Sequence, residues 1–495
     1  MNLGASLRYA SLSVALASTL TLAGCMVGPK YKLPSVPTAP SFKEMSPAAD
    51  SSEFKENADW QTAKPQDTIP RGDWWTLFHD DGLNAIEPQV AAANQTLKAA
   101  DANLRAARGN LRIQNSSRYP TVGLNPFLGG ERYSANQPYF NAATANNGEG
   151  DLELPLQLNY EVDLWGAVRR NVTAAREQSQ ATAADLQTAR LSLQAEVAID
   201  YFELRAADAQ QKLLNDTVAQ YAEAVRITND RYLGGVAVKS DLTQAQTQLQ
   251  DAKVQAADVA IARSQYEHAI AILIGKPPAS FSLPPSPLPL SVSPPVIPPG
   301  LPSQLLERRP DIAAAERRTA AANEQIGIAR AAYFPSLNIG ATAGQESTSF
   351  ASLFEKSSFI YALGPTIGET FFDGGRRRGI SEQALANYDG TTANYRQTVL
   401  TAYQQVEDNL VALRVLSHEQ EQQRQATASA VESERIFNNR YVGGVDTYLQ
   451  VITAQTSALA NQRNDIDILR RRMDASVLLI KVLGGGWDRT QLPTK

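Results

Sequence analysis

Few side chains in this sequence could carry out chemistry. The three histidines, His79, His268 and His418, are scattered along the chain, whereas a zinc site would need ligands at short spacing. The sequence contains neither a phosphate-binding loop nor a nucleophile elbow. The acidic pair after His79, Asp80 and Asp81, is explained more simply as a turn and cap before a helix. We therefore predict no enzyme active site, no metal site and no cofactor.

The single cysteine, Cys25, is the one residue for which a covalent modification is predicted. The apolar run Tyr9–Leu22 follows a basic residue and leads into Leu-Ala-Gly-Cys. This order is typical of a bacterial lipoprotein signal; an ordinary secretory signal with a chance cysteine is the alternative. We expect residues 1–24 to be removed and Cys25 to carry lipid. Met26 stands where lipoproteins kept in the inner membrane commonly have Asp, which favours export to the outer membrane.

Charge and hydropathy limit the partners of the chain. The 495 residues carry a net charge of -5 without a block of like charges, which argues against a nucleic acid partner. Beyond residue 25 the sequence has no apolar stretch of the roughly 18 residues that a transmembrane helix needs. The strands of a membrane β-barrel have a weaker hydropathy signal, so that the hydropathy of this chain does not exclude such a barrel.

One short motif occurs twice. Arg226–Val236 reads RITNDRYLGGV, and Arg435–Val445, 209 positions later, reads RIFNNRYVGGV. Glycine adopts positive φ at little cost, so that a Gly pair suits a tight helix end. Each copy therefore predicts the tip of a helical hairpin. The tip residues are Arg231, Tyr232, Gly234 and Gly235 in the first copy and Arg440, Tyr441, Gly443 and Gly444 in the second.

Very long helices are predicted beside both tips. Ala167–Leu233 has neither Gly nor Pro over 67 residues, and as one helix it would be about 100 Å long. Arg376–Val442 repeats this run, and the return arms are Val236–Ile274 and Val445–Leu483. Apolar residues of the first run form two stripes, which indicates a neighbouring helix on each side. A tube of helices has this property; a large solvent-exposed bundle is the alternative. The stripes contain Leu193, Val197, Leu204 and Leu214, and Ala195, Ile199, Phe202 and Ala206.

Alternating residues upstream of each long run predict strands. In Leu152–Gly166 apolar and polar residues alternate, as in a strand with one apolar and one polar face. The length fits a tilted strand across a bilayer, although a soluble antiparallel sheet would also alternate. Pro126, Pro155 and Pro365 argue against strands, because Pro removes a ladder hydrogen bond. Partner strands are predicted at Tyr119–Gly130, Phe334–Gly344 and Phe359–Phe372.

The elements follow one order twice: helix, strand, loop, strand, long helix, Gly-Gly tip and helix. The shorter helices are predicted at about Gln89–Ser117 and Asp311–Ala332. Because a membrane barrel begins at about eight strands, four strands per chain imply that two or three copies share one barrel. The predicted divisions are a signal peptide at 1–24, a Pro-rich segment at 25–82 that wraps the outside, repeats at 83–276 and 304–486 joined by a Pro-rich linker at 277–303, and a tail at 487–495.

Several of these stretches together resemble a known family. The signal ending in Cys25, YEVDLWGAVRR at Tyr160–Arg170, FFDGGRRRG at Phe371–Gly379 and the two RYxGGV turns resemble the TolC-like outer membrane factors, above all the NodT-type lipoproteins of tripartite efflux systems. The resemblance implies a mainly α fold with a β-barrel part. It implies a homotrimer in which a twelve-stranded barrel in the outer membrane continues into a twelve-helix tube in the periplasm.

The resemblance also implies a function and partners. Such proteins are passive exit ducts for drugs and other small toxic compounds. They dock to a periplasmic adaptor, which joins them to an inner-membrane transporter of the RND type. A duct for a type I protein secretion system shares the fold, and a non-conducting coiled-coil lipoprotein is a further alternative. The alternation at Leu152–Leu164 speaks against the latter.

The tips are where the resemblance implies adaptor docking and an iris-like opening. The Arg and Tyr residues beside each turn could instead cap the last carbonyls of the long helices. The inner constriction of the family falls on Leu449. Its acidic position one turn later is Thr453 in this chain, so that an acidic ring would have to come from Asp446 or Asp241.

Overall fold

A computed structural model describes residues 26–45, 73–132, 134, 136, 148–297, 302–487 and 489–492. The protein is mainly helical and contains one antiparallel sheet. Cys25 and the predicted signal at 1–24 lie outside the described residues, so that the lipid attachment stays a prediction.

The helices form two hairpins of equal dimensions. The long arms, α3 and α6, have 67 residues each, and the return arms, α4 and α7, have 35 each. None of the described helices has an apolar stretch that would span a membrane. The helices are α1 (Asp81–Ala93), α2 (Gln95–Ser116), α3 (Ala167–Leu233), α4 (Lys239–Leu273), α5 (Pro310–Ala331), α6 (Arg376–Val442) and α7 (Tyr448–Val482).

Helix α3 lies in the middle of the chain's helical layer. It packs against α4 and α2 and also against α5 and α7, while α6 packs against α5 and α7. Residues of both predicted stripes are buried, such as Val197 and Leu204 in one and Phe202 and Ala206 in the other. Neighbours on each side of the long helix are therefore confirmed.

The prediction of one early helix at Gln89–Ser117 is wrong. The chain forms α1 and α2, and Asn94 between them has extended backbone. The Asn94 side chain accepts a hydrogen bond from Leu97 N at the start of α2. It also donates a hydrogen bond to Leu273 O at the end of α4. An N-cap is formed in this way, and the helix restarts. The predicted cap before α1 is confirmed, because Asp80 accepts from Leu83 N at 2.9 Å.

The sheet is formed by strands from both halves. Its order is β1–β3–β4–β5, and β2 pairs with β3 beside β1. Leu156 of β3 is 53% exposed, whereas Leu152 near the start of the strand is 7% exposed. The middle of the apolar face of this strand therefore does not enter a compact interior. Within the described chain, β5 at one edge and β1–β2 at the other lack a partner on their outer sides. The strands are β1 (Thr121–Leu124), β2 (Phe127–Glu131), β3 (Glu149–Glu161), β4 (Ser336–Ser347) and β5 (Phe359–Gly368).

The prolines that argued against the strands are accommodated in three ways. Pro126 divides the predicted first strand into β1 and β2. Pro155 of β3 lies opposite this break, where no strand residue needs its missing N–H. Pro365 lies in the edge strand β5, where Pro is tolerated.

The Pro-rich segments cross the outside of the helices at mid-height. Arg205 of α3 donates to Pro284 O at 2.9 Å, and the buried Asp208 accepts from Ser286 N at 2.8 Å. From the N-terminal segment, Phe42 and Trp74 enter the main core. This core joins α1, α3 and α7 at the base of the hairpins, far from the tips. The tip end of each hairpin therefore extends beyond the main core.

Candidate functional site: the two hairpin tips

Both tips have the same backbone geometry. Gly234 N and Gly443 N bond to the carbonyls of Asp230 and Asn439, each at 2.9 Å. The residue that adopts the left-handed conformation is the second glycine of each pair, with φ of 72° at Gly235 and 78° at Gly444. Both turns therefore end their helices in the manner of a Gly-terminated Schellman motif.

The arginine of the first tip bonds to the second hairpin. Arg231 Nη1 donates to Tyr441 O at 2.8 Å and to Val442 O at 3.1 Å. Its guanidinium also lies over the Tyr441 ring, 4.7 Å from the centroid. These are the last carbonyls of α6, where a cation is favoured by the helix dipole. Arg231 therefore caps a helix, and that helix belongs to the neighbouring tip. Its role in adaptor docking stays a prediction.

The arginine of the second tip stays within its own turn. Arg440 Nε lies 2.5 Å from Asp446 Oδ2, and this ion pair raises the pKa of the Arg440 guanidinium. The first turn has Ala237 at the position of Asp446. Arg231 therefore has no acidic side chain at that point of its own turn. We attribute the different partners of the two arginines to this single difference.

The two tyrosines also differ in burial. Tyr232 is 38% exposed, whereas Tyr441 is 5% exposed and packs on Tyr448 with ring centroids 5.1 Å apart. Tyr448 is the first residue of α7, and burial raises its pKa to about 12. Lys239 stands at the equivalent point of α4. The second tip therefore contains a small aromatic core, and sequence reasoning missed Tyr448 because aromatic residues beside a helix start have no fixed signature.

The predicted constriction residues are placed on the surface of α7 and near the turns. Leu449 is 58% exposed, and Thr453 Oγ1 bonds only within α7, to Leu449 O at 2.9 Å. Asp446 is held by Arg440, and Asp241 lies in the first turn of α4. The charge of Asp241 also contributes to the raised pKa of Tyr448, the residue before Leu449, so that Asp241 lies near the start of α7. The role of these four residues in a constriction stays a prediction.

The chain has a β-sheet at one end of its long helices and the hairpin tips at the other. The family model described as "Outer membrane efflux protein" matches residues 88–276 and 301–485. The chain therefore belongs to the outer membrane efflux protein family.

Known relatives align with this chain over nearly its whole length. The outer membrane protein OprJ of Pseudomonas aeruginosa is 32% identical over 479 residues, which cover 96% of this chain and 95% of OprJ. The toluene efflux pump outer membrane protein TtgF of Pseudomonas putida is 30% identical over 96% of this chain and 97% of TtgF. The open state of the Neisseria gonorrhoeae MtrE outer membrane channel has a TM-score of 0.80 at 26% identity and covers 94% of this chain and 99% of MtrE. The predicted fold of the TolC-like outer membrane factors and an efflux channel in the outer membrane are thereby confirmed.

Proposed function

We propose that this chain is the passive exit duct of a tripartite efflux pump for small toxic compounds. Its partners are a periplasmic adaptor and, through it, an RND-type inner-membrane transporter. The observation that carries the proposal is the pair of matched tips at the free ends of two 67-residue helices. No catalytic step is assigned to the chain, because transport through such a duct needs a path rather than a reaction.

The tips offer the surface that an adaptor would bind. Clusters of exposed apolar side chains mark interaction sites on protein surfaces. The exposed apolar residues of both turns would pack against the adaptor, and Arg231 and Arg440 would set the spacing of the tips. These apolar residues are Leu233, Val236 and Val238 in the first turn and Val442 and Val445 in the second.

A homotrimer is proposed from the open sheet edges. A membrane-spanning sheet cannot leave backbone N–H and C=O groups unpaired in lipid. If β5 of one copy pairs with β1–β2 of the next, three copies close a barrel of twelve strands. Exposed apolar residues on α4 and α6, such as Val254, Ile261, Leu400 and Val415, would then pack between copies. The division into repeats at 83–276 and 304–486 is kept as part of this proposal.

The anchor and the constriction complete the proposal. Cys25 would carry the palmitate-bearing lipid in the outer membrane. Leu449 and Thr453 would line the narrow end of the helical tube, with Asp241 rather than Asp446 as the acidic contributor. Asp446 is the weaker candidate because its charge is already paired with Arg440.

A deletion strain tests the function directly. The strain is compared with complemented strains on a panel of antibiotics, dyes and solvents, and cysteine variants V236C and V445C are used to crosslink the adaptor. We expect increased sensitivity in the deletion strain and crosslinks from both tips. Unchanged sensitivity with a retained secreted polypeptide would instead identify a type I secretion duct. A protein that runs as a monomer on unheated SDS gels would favour a structural lipoprotein.

A further inference from the structure

The peptide that follows Cys25 is bound at the junction of sheet and helices. Val27 N donates to Trp165 O at 3.1 Å. Arg170, near the start of α3, also binds this peptide: its Nε donates to Val27 O at 2.8 Å and its Nη2 donates to Pro29 O at 3.3 Å. A fourth hydrogen bond runs from Asn323 Nδ2 to Pro29 O at 3.4 Å. The backbone of residues 27–29 is therefore held by four hydrogen bonds.

Arg170 is buried to an extent that is rare for arginine. Its exposed fraction is 1%, and Nη1 lies 2.6 Å from Oε2 of Glu324, which is 9% exposed. A buried ion pair is costly unless its other donors are satisfied, and here the N-terminal backbone supplies two acceptors. Removing the peptide would leave these donors without protein acceptors. The peptide is thus part of the site rather than a loose covering.

Two glycines allow the close approach. Gly28 has φ of +106°, and a Cβ there would lie 2.6 Å from Gly327 Cα. A Cβ on Gly327 would lie 2.2 Å from Arg170 Nε. Real Cβ contacts are longer than this, so that any side chain at either position would displace the peptide or the guanidinium. The groove fits a glycine backbone at this point.

Among the described residues, the second half of the chain has no equivalent site. Gly379 is the fourth residue of α6, as Arg170 is the fourth residue of α3. The preceding residue, Arg378, has a side chain that is 83% exposed and pairs with Glu382 on the same helix. The buried arginine is therefore not a general feature of the repeat; it occurs in the half that meets the N-terminal peptide.

The site lies at the junction between the sheet and the helices. The Trp165 indole stacks on Phe334 at 4.6 Å and donates to Pro335 O at 2.7 Å, just where β3 ends and β4 begins. Aromatic side chains at such a level are typical of the interface between membrane and water.

We propose that Arg170, Glu324, Gly28 and Gly327 form a seat for residues 26–29 that fixes the acylated Cys25 at the junction of sheet and helices. The proposal rests on the proposed lipidation and outer-membrane function. It assigns the placement of the anchor to a protein site rather than to the lipid alone.

Hydrogen exchange of the full-length protein, purified from outer membranes, tests the seat. In Arg170→Met we expect the peptide that contains Val27 to exchange at least tenfold faster than in the wild type. Arg378→Met is the matched control, since it removes an arginine from the first turn of α6, and it should leave this peptide unchanged. Arg170→Lys keeps a positive charge beside Glu324, so that it controls for a folding failure of Arg170→Met. We expect its Val27 peptide to be protected more than in Arg170→Met and less than in the wild type. Equal protection in the wild type, Arg170→Met and Arg170→Lys overturns the seat.

A steric variant and a mass measurement separate the two parts of the proposal. Gly327→Ala should accelerate exchange like Arg170→Met, whereas Gly390→Ala, whose new Cβ meets no atom within 4 Å, should not. Mass spectrometry of the N-terminal peptide reads the lipid on Cys25 independently. A peptide without lipid, with exchange that still depends on Arg170, overturns the anchor placement alone. Gly327→Ala behaving like Gly390→Ala overturns the seat itself. Compound sensitivity of the same strains reports on efflux separately from both.

Discussion

The two hairpin tips share a sequence motif and a backbone, yet they differ in what holds them. The first tip is held through Arg231, which reaches across to the carbonyls of α6. The second tip is held internally, by the Arg440–Asp446 ion pair and by Tyr441 on Tyr448. Repetition of a motif thus preserves the turn, while single substitutions at positions 237, 239, 446 and 448 decide the contacts around it.

The two tyrosines should give the largest contrast. Tyr441→Ala removes a buried ring from the aromatic core and is expected to lower the local stability of the second tip by about 2–4 kcal/mol. Tyr232→Ala removes an exposed ring, and about 0.5 kcal/mol or less is expected. Hydrogen exchange of the tip amides measures both local opening free energies. Equal effects would show that the tips are supported alike.

The link between the tips is the next test. Arg231→Met should lower the stability of the end of α6 by about 1–2 kcal/mol, because charge-assisted hydrogen bonds and a cation–π contact are lost. Ala237→Asp should act in the same direction, since it offers Arg231 the partner that Arg440 already has. Asp446→Ala is the reciprocal variant and should leave the Arg231 contacts intact. Uptake of a large antibiotic that intact outer membranes exclude reports whether the tips part; no change with Arg231→Met contradicts the link.

The glycine pairs give a smaller and more local contrast. Gly235→Ala places a Cβ on a residue with φ of 72°, and about 1–2 kcal/mol is expected from the left-handed conformation. Gly234 has φ of -78°, so that Gly234→Ala should be nearly neutral. The same pair, Gly444→Ala and Gly443→Ala, repeats the test in the second tip. Similar losses for both members of a pair would mean that packing rather than φ selects glycine.

The long helices themselves also differ near their middle. Burial, with the nearby charges of Glu196 and Glu203, raises the pKa of Asp200 in α3 to about 7, from 3.8. The folded state therefore binds more protons than the unfolded chain between about pH 4 and 7, and stability falls as pH rises through this window. Asn409 stands at this point of α6.

Asp200→Asn gives α3 the residue that α6 has at the equivalent position. It should raise the thermal midpoint at pH 8 and have a much smaller effect at pH 4, where Asp200 is protonated in the folded state and only partly ionised in the unfolded chain. Asn409→Asp is the reverse exchange and shows whether α6 tolerates the charge. Circular dichroism at the two pH values measures the midpoints, and a gain of equal size at both would exclude the charge as the cause.

Local patterns were sufficient for much of the architecture. The absence of Gly and Pro between residues 167 and 233 predicts one helix, and the structure has that helix with the same ends. The break at Asn94 was not predictable in this way, because Asn94 is stabilised outside the helix by Leu273 O, 179 positions away. The division of the first strand at Pro126 followed a known rule, but the position of Pro155 opposite that break depended on the register of the sheet.

By itself, the sequence determined the elements whose signals are local: the long helices, the Gly-Gly turns, the alternating strands and the duplication that relates the two halves. These follow from backbone preferences and from the period of the apolar residues. Only the tertiary structure decided which atoms the two arginines of the tips bond to, that Tyr441 is buried and Tyr232 is not, and that Arg170 receives the N-terminal peptide. The physical reason is that the contacts of Arg231 and Arg170 join residues more than 100 positions apart, that the partner of Arg440 is a charge present in only one of the two turns, and that Tyr441 is covered by Tyr448 of the next helix. No periodicity encodes such pairings.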